Sequence, residues 1–178
     1  MKKWMAIPLI MAMLLSVAAC DGAGETDSKE PEEKKFSLGE VNGQIYENEF
    51  LGMGCELSDD WMYYAQPDMR HMDDGDEICA MHATVKDRKV TLRIDFQKTD
   101  AEKLKAFDAA GYCGQYLMNR VLNESDSRHF NAAYSNISVE IGSKTVDGRL
   151  LTMFNRTYKW CEAVFAIKCN GYIARISV

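Results

Sequence analysis

The sequence predicts an α+β domain in which an antiparallel β-sheet is flanked by helices. Three observations carry this expectation. Residues 89–97 (KVTLRIDFQ) alternate between apolar and polar side chains, the period of a half-buried strand. The dipeptides Asp147-Gly148 and Asn170-Gly171 are those preferred in type I′ hairpin turns, where both central residues need φ > 0. Between these regions Ala106, Ala110, Cys113, Leu117 and Val121 recur at helical spacing and would form one buried stripe.

The start of the chain speaks about location. Lys2 and Lys3 precede 16 uncharged residues from Trp4 to Ala19, and Val17-Ala18-Ala19-Cys20 follows the apolar run. A basic, then apolar, then small-residue order reads as a secretory signal peptide, and the run is shorter than the roughly 20 residues that span a hydrocarbon core. A cysteine directly after the small residues resembles the bacterial lipobox. That resemblance implies a signal peptide over 1–19, a diacylglycerol on Cys20, and a protein anchored by lipid on the extracytoplasmic face of the cell membrane. Stable anchoring takes two signals, and the two chains of a diacylglycerol supply both.

Residues 20–40 read as an acidic tether. The stretch DGAGETDSKEPEEKKFSLGE has one aromatic, Phe36, and one β-branched residue, Thr26, too little apolar surface to repay ordering. The part after Cys20 carries 19 of the 21 basic residues and all 27 acidic ones, a formal charge of −8. Nucleic-acid binding is driven by Lys and Arg, so a nucleic-acid partner is set aside. Residues 41–178 are enough for one domain with its own core.

Within that domain, Gln44–Phe50 and Gly54–Trp61 read as two short strands. Residues 77–85 alternate, with Cys79, Met81, Ala83 and Val85 on one side. Lys86-Asp87-Arg88 would turn the chain into the 89–97 strand, where Val90, Leu92, Ile94 and Phe96 share a face. Thr99 with Glu102 resembles a capping box at the head of the helical stretch, and Gly111 would divide that stretch in two. Turns at 147–148 and 170–171 predict a four-strand antiparallel run over about 137–178. In it Cys169 opposes Tyr172, Ile167 opposes Ala174 and Phe165 opposes Ile176, while Ile141 opposes Phe154 and Thr145 opposes Leu150.

The segments YENEFLGMGCELSDDWMYYAQPD, ISVEIGSKTVDGRLLTMF and AVFAIKCNGYIARISV together resemble small lipoproteins of Gram-positive anaerobes with a PsbP-like domain. That fold is shared with a eukaryotic nuclear-transport factor family. The resemblance covers about 45–178. It implies an α/β/α sandwich and a binding or accessory role. This chain departs from the pattern at Pro67–Asp76, where a first helix is expected and the sequence reads PDMRHMDDGD.

Five cysteines follow Cys20: Cys55, Cys79, Cys113, Cys161 and Cys169. The number is odd, so at least one is unpaired within the chain. If Cys161 and Cys169 lie on one straight strand they are about 26 Å apart, and a disulfide needs Cα atoms within about 7 Å. Met69, His71, Met72, Met81 and His82 suggest soft copper ligands, but Met81 and His82 would face opposite sides of a strand. Asp73, Asp74 and Asp76 could offer carboxylates to calcium, yet the spaced Ca²⁺ loop pattern is missing. The residues favour no bound cofactor, with His71, Asp73, Asp74 and Asp76 the weak candidates for a metal. No G-x-S-x-G or H-E-x-x-H occurs, and His71, His82 and His129 have no motif context, so a non-catalytic role is expected. The densest aromatic patch is Trp61, Tyr63 and Tyr64. Trp61 reads as core. Tyr63 and Tyr64 are adjacent, so in an extended chain one faces outward and is the candidate contact for an unknown protein or small-molecule partner.

Overall fold

The computed structural model describes residues 34–64, 77–87, 89–123, 131–141, 143–155 and 159–178. Its strands are β1 (Glu40–Asn42), β2 (Ile45–Asn48), β3 (Met53–Glu56), β4 (Trp61–Tyr63), β5 (Glu77–Val85), β6 (Thr91–Lys98), β7 (Asn131–Ile141), β8 (Lys144–Phe154), β9 (Lys159–Cys169) and β10 (Tyr172–Ser177). Its helices are α1 (Ala101–Lys105) and α2 (Ala109–Asn123). Strands β1–β3 form a small antiparallel sheet. The others form a seven-stranded antiparallel sheet in the order β4-β5-β6-β10-β9-β8-β7.

This corrects the predicted class. The described residues are 58% strand and 16% helix, so the protein is mainly β rather than an α+β sheet flanked by helices, and the α/β/α sandwich does not hold. The reason is visible in the two faces of the large sheet. One face packs against the small sheet: Tyr46, Phe50 and Leu57 meet Met81, Leu92, Ile94, Phe96, Ala174 and Ile176 in one core. The other face packs against α2, where Cys113 and Leu117 meet Leu151, Val164, Ala166 and Ile173. Each fully buried Leu or Phe contributes about 2 kcal/mol relative to exposure, so both layers hold the sheet, and only one of them is helical. The segment 67–76, where the resemblance implies a further helix, lies outside the described residues.

The chain joins the first of these layers before β1. Phe36, inside the segment read as a tether, stacks on Tyr172 with ring centroids 4.2 Å apart. Tyr46 donates its phenol to the Leu38 carbonyl at 2.8 Å, and Asn48 Nδ2 donates to the Ser37 carbonyl at 3.1 Å.

The last hairpin has the predicted register. Cys169 pairs with Tyr172, Ile167 with Ala174 and Phe165 with Ile176, and Gly171 supplies φ +72° at the turn. The Asp147-Gly148 turn is overturned. Ile141 pairs with Lys144, and Gly148 sits inside β8 opposite both Ile137 and Phe165. A Cβ at Gly148 would run into the Val164 carbonyl oxygen and come within 2.6 Å of the Phe165 ring. That glycine serves close strand-to-ring packing, not a turn. The helix starts are also shifted. Asp100, not Thr99, caps α1 by accepting from Lys103 N at 2.8 Å. The break falls at Ala106–Asp108 rather than at Gly111. Asp108 accepts from Ala110 N and Gly111 N at 3.2 and 3.0 Å, which satisfies two orphan donors at the start of α2. Ala106 therefore leaves the buried stripe, while Cys113, Leu117 and Val121 stay in it.

Candidate functional site

The helix-covered face of the large sheet holds a cluster of buried charge. Arg175 on β10 pairs in register with Asp95 on β6. Its Nη1 and Nη2 donate to the two Glu77 oxygens at 2.7 Å each, and Nη2 also donates to Asp95 Oδ2 at 2.9 Å. Arg93 Nε donates to Asp95 Oδ1 at 2.5 Å. The side chains of Arg175 and Asp95 are 5% and 2% exposed. From the helix, Tyr116 places its ring 4.0 Å from the Arg175 guanidinium carbon, a cation–π contact. Tyr112 donates to Gln97 Oε1 at 2.9 Å.

A bulge in β5 brings part of this together. The β5–β6 register shifts between Cys79 and Met81, so Cys79 pairs with Asp95 while Met81 pairs with Ile94. Cys79 thus lies on the charged face and Met81 in the core beneath the small sheet. The expected alternation, with Cys79 on the side of Met81, Ala83 and Val85, is corrected accordingly. An extra residue on one strand inverts the side-chain sequence beyond it, and no residue type near Ala80 announces it.

Two carboxylates and two guanidiniums make the cluster neutral. Burial works against the charge on Arg175, but the Glu77 hydrogen bonds and the nearby Asp95 overcome it and raise the guanidinium pKa. Glu162, close by on β9, has the opposite balance. Burial pushes its carboxyl up, and Arg120, whose Nε is 3.6 Å away, offsets this only in part. Burial raises the phenols of Tyr112 and Tyr116. Arg175 Nε has no acceptor among the described residues. Paired so closely, these groups suit holding α2 on the sheet more than exchanging protons with a substrate.

Beside the cluster, α1, α2 and the ends of β6 and β10 line an open cleft of about 360 Å³. Its walls include Phe107 and Tyr112, whose rings lie 5.9 Å apart, the amides of Gln97 and Gln115, and the charges of Lys98, Lys103 and Asp108. Its volume is within the range of small-ligand pockets, and Lys98 and Lys103 against Asp108 give it a net positive wall beside the two aromatic rings. The spacing of these residues in the sequence, across 97–115 and at Ile173, carries no motif, and the cleft arises from the 106–108 break between the helices.

The predicted contact residues are placed apart from this cleft. Tyr63 pairs with Ala83 and turns into the core beneath the small sheet. There its hydroxyl donates to the Gln44 carbonyl at 3.3 Å and lies 3.9 Å from Cys55 Sγ. Burial raises its pKa. Tyr64 turns to the other face and stacks on His82 with centroids 4.5 Å apart. Both rings are half-buried, and each is engaged by its own fold. Trp61 packs against the core, as expected.

Cys20 and the weak metal candidates His71, Asp73, Asp74 and Asp76 lie outside the described residues. Among the described residues no cluster of three metal-ligating side chains forms. The five cysteines after Cys20 are all free thiols, and β9 carries Cys161 and Cys169 on one strand as the spacing argument requires. Burial pushes Cys113 and Cys169 up to about 11 and raises Cys55, so these three are poor nucleophiles at neutral pH.

No protein-family model matches the chain, and no curated protein is significantly similar to it.

Proposed function

We propose that this chain is a lipid-anchored extracytoplasmic module that binds a small ligand or partner without chemical conversion, held on the cell membrane through Cys20. The observation that carries the reading is the Lys2-to-Cys20 order of basic, apolar, small and cysteine residues. The packing of Phe36 lends support. It sits on the face of the large sheet opposite α2, so the chain from Cys20 meets the domain on the side away from the cleft. A binding role is favoured over catalysis because the charges of Glu77, Arg93, Asp95 and Arg175 are spent on one another.

Fractionation of cells that express the chain tests this reading. The unsubstituted chain is expected in the membrane fraction and to take up a labelled fatty acid. Cys20→Ser should lose both properties. A Cys20→Ser chain that stays in the membrane fraction would overturn the anchor. Binding is tested by a thermal-shift screen of small polar aromatics, in which every hit should vanish in Phe107→Ala; hits unaffected by that change would remove the cleft from the proposal.

A further inference from the structure

Among the described residues, strand β7 is an open edge of the large sheet: it pairs with β8 and with no other strand. Natural edges are usually blunted by short length, Lys, Pro or a bulge. The opposite edge, β4, has three residues. β7 has eleven, NAAYSNISVEI, with Glu140 its only charge, and its first six residues are all exposed. Its register with β8 is unbroken from Asn131↔Phe154 to Ile141↔Lys144.

The backbone groups that face outward can be worked out from the ladder. Ala163 and Val178 exchange both N–H···O bonds at 2.9 Å, so odd-numbered residues of β9 address β10 and even-numbered ones address β8. Antiparallel ladders alternate in this way at each strand. Carried through Val164↔Arg149 and Leu150↔Ser135, the alternation leaves Ala132, Tyr134, Asn136, Ser138 and Glu140 with N–H and C=O pointing away from the sheet.

These five residues are symmetric about Asn136. We propose that β7 is a homodimer edge, to which β7 of a second copy adds antiparallel about a two-fold axis at Asn136. In that register all five open residues exchange both backbone bonds with the second copy. Tyr134 meets Ser138 of the second copy, and Glu140 meets Ala132, so the lone charge never faces its mate, as a like-charge pair would destabilise the edge. A shift of the axis to another open residue leaves part of the edge unpaired, and β7 of a second copy is already held extended by its own β8, so it pairs without the ordering cost that a free extended peptide carries. The two α2 helices, each over β8 and β9, would lie about 19 Å apart at ~4.8 Å per strand, more than a helix diameter of about 10–12 Å, so they do not collide. A two-fold axis normal to the sheet keeps both Phe36 segments on one side, and both copies can then be anchored in one membrane. That last point alone rests on the lipid-anchored reading.

The test is site-directed cross-linking of the full chain with diamide, which joins two thiols as a disulfide and is itself reduced. A Cys161→Ser background removes the exposed native thiol. Residues 136 of the two copies would be a hydrogen-bonded pair with Cα atoms about 5.5 Å apart, inside the disulfide range. Residues 131 would be about 33 Å apart. Asn136→Cys is therefore expected to give a dimer band about tenfold stronger than Asn131→Cys. Equal bands, a band no stronger than the background chain, or a cross-link to a protein of different mass would each overturn the proposal. A second measurement covers a variant that misfolds: the detergent-solubilised unsubstituted chain should sediment as a dimer, and Asn136→Lys, which sets two like charges face to face, as a monomer. A monomeric unsubstituted chain sinks the proposal. The same dimer in Cys20→Ser would show that the edge acts without the lipid, so a failed anchor and a failed interface give different results.

Discussion

Arg175→Met isolates the buried charge cluster. The guanidinium is 5% exposed and holds Glu77 and Asp95 with three bonds of 2.7–2.9 Å. Methionine keeps much of the volume and the contact with Tyr116 but leaves two carboxylates against the one cation of Arg93. Glu77, 24% exposed, can turn partly to water. Asp95, 2% exposed, cannot, and keeps only its Arg93 bond. Removal of one partner from a buried ion pair costs about 3–5 kcal/mol. With a urea slope of about 2 kcal/mol per molar, the unfolding midpoint should fall by about 2 M, read by tryptophan fluorescence at neutral pH and 25 °C. Arg175→Met with Asp95→Leu should recover part of that loss, because the stranded carboxylate is gone. A single-variant loss below about 1 kcal/mol would match an exposed pair and refute the argument. So would a double variant worse than the sum of its parts.

Further outcomes are expected elsewhere in the molecule. Burial raises the Glu162 pKa in the folded state, so its charged form destabilises the fold. Glu162→Gln should melt higher than the unsubstituted chain at pH 7, with the gap closing as pH falls through the raised folded-state pKa and gone below the ordinary glutamate value, near 4.3, where the carboxyl is protonated in both states; a gap that widens in acid would contradict this. Gly148→Ala should cost about 1–3 kcal/mol by overpacking against Val164 and Phe165, measured by chemical denaturation. Asp108→Ala should cost about 1 kcal/mol through loss of the α2 cap, with the loss of helical signal appearing first on warming. Under native conditions a maleimide should label Cys161 rapidly and Cys113 only after unfolding, which mass spectrometry of the labelled peptides reads directly.

What was legible in the sequence was local. The KVTLRIDFQ alternation placed β6 and its core side chains, and Asn170-Gly171 set the final hairpin to the residue. Periodicity found Cys113 and Leu117 as the buried face of α2. Features that depend on distant partners were not legible. Asp147-Gly148 has the chemistry of a turn, but the Phe165 ring on the neighbouring strand requires a bare backbone at Gly148, and tertiary packing overrode the local preference. The β5 bulge leaves no compositional trace, so alternation alone puts Cys79 on the face opposite the one it occupies. Asp95 sits at a polar position of its strand, which suggested solvent, yet Arg175 and α2 cover it. The mainly β class is hidden in the sequence because one 15-residue helix shows strong periodicity, while the second covering layer is built from strands of three or four residues too short to display any. Of the candidate site, Tyr63 and Tyr64 are visible in the sequence as a patch but not as side chains engaged by Gln44 and His82, and the cleft depends on a helix break that no residue but the Asp108 cap marks.

The position of β10 bears on the order of folding. It lies between β6 and β9, so it is the seam that joins an earlier half, β4 to β6, to a later one, β7 to β9. A polypeptide made only as far as Cys169 holds two incomplete pleated fragments, each with a raw flank where β10 belongs, and Arg175 has not yet arrived to neutralise Asp95. Full compaction therefore waits for Tyr172–Ser177, in whichever compartment the domain folds.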